Sequence, residues 1–92
     1  MIFQVFHSEP PDFFAQRDLM EFPHGFVHVA SVEAVSIDEV FYLTNSIDIP
    51  WHQHDGVSAY KETRSTSVGD VVVSQDGRHY RCERIGWTRF EL

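Results

Sequence analysis

Arg64 to Trp87, RSTSVGDVVVSQDGRHYRCERIGW, leaves the chain little choice but a β hairpin. Gly69-Asp70 opens its first strand, and Val71, Val72 and Val73 are β-branched residues that suit a pleated, buried surface. Asp76-Gly77 supplies two residues tolerant of positive φ, so the chain can reverse into Arg78 to Ile85. Gly86 then interrupts the pattern as a bulge or tight bend that turns Trp87 inward, and Trp87 to Phe90 reads as a last short strand.

Upstream of the hairpin, Ile2, Phe3, Val5 and Phe6 make Met1 to His7 a buried strand, stopped by Ser8-Glu9-Pro10-Pro11. Pro11 suits a first helical position and Asp12 favours a helix N-terminus, so Asp12 to Phe22 is predicted as a short helix with Ala15, Leu19 and Phe22 on its apolar stripe. Pro23-His24-Gly25 ends it. Phe26 to Glu33 alternates with both faces partly apolar, as in a central strand, and its His28 reads as a hydrogen-bonded core residue. Ser36 and Glu39 form a capping box for a second helix, with Val35 and Val40 placed for a hydrophobic staple and Asn45 for a left-handed cap. Ser46 to Thr63 keeps no period and reads as a loop long enough to carry function. The expectation is one α+β domain over residues 1–92, a mainly antiparallel sheet of about five strands with two helices on one face, in the order β-α-β-α-loop-β-β-β.

Fourteen acidic against seven basic residues give a net charge of -7. The signs separate along the chain: Met1 to Asp55 holds nine acids against Arg17 alone, whereas Gly56 to Leu92 holds five acids against Lys61, Arg64, Arg78, Arg81, Arg84 and Arg89. An acidic whole disfavours nucleic acid, since phosphate contacts need a positive field, although a local basic face on the hairpin stays open. Eight Phe mark a folding chain rather than a disordered tail. Cys82, the only cysteine, leaves no intramolecular disulfide, which suits a reducing, cytoplasmic setting. No segment approaches the roughly 20 apolar residues of a membrane span, and the first residues do not read as a signal peptide. Folding alone or as a small homo-oligomer fits this size.

Thr44-Asn45 at a helix end, Arg64 to Val72, Asp76-Gly77, Tyr80 and Gly86-Trp87 together resemble the YodL-like domains, covering about the last half of the chain. The resemblance implies an accessory protein of a phage or mobile element working inside a bacterial cell. It brings no catalytic residue, activity or cofactor with it. A fainter similarity links the hairpin to small RNA-binding β-barrels of the PUA and ASCH kind, against which the net charge counts.

Three constellations offer chemistry. Arg64, Ser65, Ser67 and Gly69 could receive a small anion or nucleotide phosphate at a turn with free N–H groups, or Arg64 could simply pair with Glu62 or Asp70 while the hydroxyls bond local backbone. His52, His54 and Asp55 could ligate a metal and support hydrolysis, or be solvated loop residues. Asp38, Glu39 and Asp48, with Trp51 as an aromatic anchor, could form an acidic surface for a basic cleft on a host protein. Cys82 lacks a partner base and reads as a buried small residue. The leading expectation is a non-enzymatic interaction module, an inhibitor or anti-defence factor among its possible uses. A small-molecule binder stands second and a metal-dependent hydrolase third.

Overall fold

A computed structural model describes residues 1–45, 56–60 and 64–92. They form an α+β unit built on one antiparallel sheet, with β1 (Ile2–Ser8), β2 (Phe26–Glu33), β3 (Val57–Ala59), β4 (Val71–Val73), β5 (His79–Cys82), β6 (Trp87–Phe90) and a single helix α1 (Ile37–Thr44). The sheet order is β3-β2-β1-β4-β5-β6. Val71 to Val73 therefore pair on both sides, with β1 and with β5. The hairpin reverses over Gln75-Asp76-Gly77, where Ser74 N–H donates to the Arg78 carbonyl at 2.8 Å and Gly77 alone takes a positive φ, +88°.

One face of the sheet carries the core. Phe3, Val5, Val29, Ala30, Val32 and Val72 are buried there under Val40 of α1, with Ile37, Leu43 and Trp87 packed at the margin. The predicted capping box holds α1: Ser36 Oγ accepts from Glu39 N–H at 3.2 Å, while Glu39 accepts from Val35 N–H. The staple is absent, because Val35 points into solvent. Asn45 is not a left-handed cap either; its φ is -125°, and its side-chain amide donates to the Thr66 carbonyl instead.

Two expectations about whole elements also need correction. The helix predicted over Asp12 to Phe22 is only a 3-10 turn at Leu19–Glu21. Asp12 spends its carboxylate on the N–H groups of Gln16 and Arg17, and Ala15 takes φ +52°, which no right-handed helix accommodates. The segment acts as a clasp: Arg17 donates to Ser8 Oγ at 3.0 Å and to the Glu9 carbonyl at 3.3 Å, and lies over the Phe26 ring at 5.5 Å. An isolated helix of that length is marginal in water, so these contacts outweigh it. The sheet also has six strands rather than about five, because Val57–Ala59, read as loop, extends its edge beside β2. With one helix gone, the second sheet face is covered only in part, by the clasp, whose Phe22 ring meets Phe6, Phe26, His79 and Phe90 at centroid distances of 5.1 to 6.1 Å.

A bulge explains the strand faces. Val5 opposes Ala30 and Phe6 opposes His28, so Val29 is the extra residue of β2 and both Val29 and Ala30 turn inward. His28, expected in the core, is thereby placed on the open face, stacked on Phe6 at 4.7 Å and bonded to Gln4 at 2.7 Å.

Candidate functional site

The Arg64–Asp70 turn is built around a buried carboxylate. Gly69 N–H donates to the Cys82 carbonyl and Cys82 N–H to the Asp70 carbonyl, so two residues of one strand face a single residue of the next, a bulge that needs Gly69 at φ +92°. A Cβ at Gly69 would lie 2.1 Å from the Asp12 carbonyl oxygen, so the clasp also depends on that glycine. The bulge turns Asp70 inward, where it is fully buried. Arg64 grips it with both arms of the guanidinium, Nη1 to Oδ2 at 2.7 Å and Nη2 to Oδ1 at 2.8 Å. Ser8 N–H and Ser67 N–H also donate to the carboxylate, at 2.9 and 2.8 Å. The remaining Arg64 bonds go to the Ser8 and Ser65 carbonyls and Ser67 Oγ. The Asp70 carboxylate raises the Arg64 pKa further, the hydrogen bond acting more strongly than the opposing burial. His7, also buried, lies 3.0 Å from Thr66 Oγ1 and 3.8 Å from Asp70.

Arg64, Ser65, Ser67 and Gly69 are thus brought together, with Asp70 in the seat an incoming anion would need. The arrangement ties β1, the α1 exit and β4 into one polar knot, because Thr66 N–H also donates to the Thr44 carbonyl at 3.0 Å. Cys82 beside it is buried, and burial, with the carboxylates of Asp70 and Glu83, pushes its thiol up to about 12. Among the described residues no three His, Cys, Asp or Glu side chains converge as a metal site. Asp48, Trp51, His52, His54 and Asp55 lie outside the described residues. Asp38 is exposed on the first turn of α1, whereas Glu39 is engaged in the cap.

What sequence reasoning missed lies at the far side of the clasp. Phe13 and Phe14 are 56% and 82% exposed at its tip, and Ile85 in the β5–β6 turn is 95% exposed. A hollow of about 290 Å³ is lined by Phe13, Phe14, Val68, Glu83 and Arg84. Glu83 and Arg84 are also the wall of a second hollow, about 240 Å³, bounded by Asp38, Phe41 and Trp87. Because they share Glu83 and Arg84, the two hollows adjoin as a groove whose lining mixes apolar side chains with Asp38, Glu83 and Arg84. The adjacent Phe13-Phe14 pair was the available signal, since two neighbouring aromatics fit no single helical stripe.

Four of the five arginines of the C-terminal half, all but Arg84, stand beside acids. Arg64 pairs with Asp70, Arg78 with Asp76, Arg81 with Glu83 and Arg89 with Glu91, each within a few residues along the chain. With a net charge of -7, the field outside the protein is negative overall. Among the described residues no helix is long and apolar enough to cross a membrane. Comparison with protein-family models, with curated proteins and with solved structures found no match.

Proposed function

We propose that this chain is a non-enzymatic interaction module that docks on a host protein through the Phe13–Phe14 tip and the adjoining groove. The observation that carries the reading is that Phe14 is held in water by built structure: Asp12 caps the turn that presents it, and Ala15 beside it adopts a left-handed conformation. Large apolar side chains clustered at one end of a small domain, next to a groove, are the composition of an interface centre. The negative field supports a partner with a basic rim, which would speed encounter and orient the complex. The resemblance of Arg64 to Trp87 to YodL-like domains supports a phage or mobile-element setting in the bacterial cytoplasm, with inhibition of a host or defence protein as the role.

Affinity capture from bacterial lysate tests this. A protein retained by the wild type should be lost with the double variant Phe13→Ser/Phe14→Ser, and weakened several-fold by Asp38→Asn at low salt, while the unfolding midpoint stays put. Capture of the same protein by the double variant would count against the docking surface.

A further inference from the structure

β6 is the last strand of the sheet order, and among the described residues nothing pairs with its outer side. The direction of its backbone groups follows from its neighbours. Cys82 N–H donates to the Asp70 carbonyl, so Tyr80 and Cys82 of β5 face β4, and His79 and Arg81 face β6. His79 opposes Phe90 and Arg81 opposes Thr88, so Phe90 and Thr88 spend their backbone groups inward. Arg89 and Glu91 therefore direct theirs away from the sheet. Both side chains are exposed and stand on the same face, 3.5 Å apart.

We propose that two copies of the chain associate by antiparallel pairing of β6 with β6 of a second copy, the two-fold axis passing beside Phe90. That register sets Arg89 opposite Glu91 of the second copy and Glu91 opposite its Arg89. Both positions carry outward N–H and C=O groups, so each opposed pair exchanges backbone hydrogen bonds and carries a complementary charge pair. Centring on Arg89 would oppose two guanidinium groups, and centring on Thr88 would set Arg89 against Trp87 and leave the charges unmatched. The complementarity thus selects one register and one occupant, and the isologous symmetry closes the assembly at two copies. A hollow of about 330 Å³ lined by Arg78, His79, Arg89, Phe90, Glu91 and Leu92 lies at the same margin and leaves room for the second copy's approach. The contact is short, so the dissociation constant should be roughly micromolar or weaker. This association is independent of the docking groove.

Sedimentation velocity over a concentration series, at low salt, tests it with R89E, E91R and their equimolar mixture. The wild type should shift from monomer to dimer as concentration rises. Each single variant places like charges opposite one another in both pairs and should dimerise at least about tenfold more weakly. The mixture should recover association as a heterodimer, because every pair is again of opposite sign. Arg89→Pro, which removes an outward N–H at an exposed edge, should abolish association while circular dichroism stays unchanged. A wild type that remains monomeric up to about 1 mM, single variants that dimerise as well as the wild type, or a mixture that fails to associate would each overturn the proposal.

Discussion

Asp70 shows how one residue settles what its neighbours are for. Its carboxylate is fully buried, so the charge is tolerable only while Arg64 and two backbone N–H groups satisfy it. Arg64→Ala should accordingly lower stability by about 3 kcal/mol in urea unfolding, the lower end for breaking such a pair because Arg64 is partly exposed. A loss below about 1 kcal/mol would mean that water replaces the guanidinium at little cost. Cys82 gives a second prediction. Its thiol ordinarily titrates near 9.0 and in the fold is pushed up to about 12. Below pH 9 both states keep the proton; between pH 9 and 12 only the unfolded chain loses it, so stability falls as pH rises. The fall is up to about 1.4 kcal/mol per pH unit. Unfolding curves across that window should be flatter for Cys82→Ala than for the wild type. Native Cys82 should also resist alkylation at pH 8, and rapid labelling there would contradict its burial.

At the scale of elements, what could be read from the chain depended on whether local chemistry and tertiary contact agreed. The run of Val71 to Val73 and the Ser36–Glu39 cap agreed with the packing they entered, and β4 and α1 stand where those residues place them. Asp12 to Phe22 did not agree. Its spacing suits a helix, but Phe22 is needed on the sheet, and Arg17 is needed against Ser8, 9 residues back along the chain, and against Phe26 beyond the segment's end. The bulge at Val29 was equally hidden, because alternation alone cannot announce an extra residue, and it moved His28 from core to open face. In the candidate site, the pairing of Arg64 with Asp70 was legible as one of two alternatives. The exposed end at Phe13, Phe14 and Ile85 was not, since exposure of a Phe is a property of the whole fold. Phe22→Ala should therefore cost about 3 kcal/mol, by removing the ring that joins four others. Gly69→Ala should be more damaging, since its Cβ would collide with the Asp12 carbonyl. A Gly69→Ala protein with wild-type melting would show that the clasp does not lie against the bulge.

For the molecule as a whole, charge and exposed apolar surface divide the labour. Four of the arginines stand beside acids near them in the chain, and what reaches outward is the net negative charge together with the aromatic tip. The knot around Asp70 fixes β1, α1 and β4 relative to one another, and the clasp leaning on Gly69 presents Phe14 from that fixed frame. Recognition should therefore weaken as ionic strength rises, mainly through slower association, while the apolar contact persists. The most direct test replaces Phe14, and separately Tyr60 on the open sheet face, with a photo-crosslinking phenylalanine analogue in living bacteria. Irradiation should trap a discrete adduct from position 14 and little from position 60. An adduct formed at Tyr60 with none at Phe14 would contradict the assignment of the tip as the docking surface.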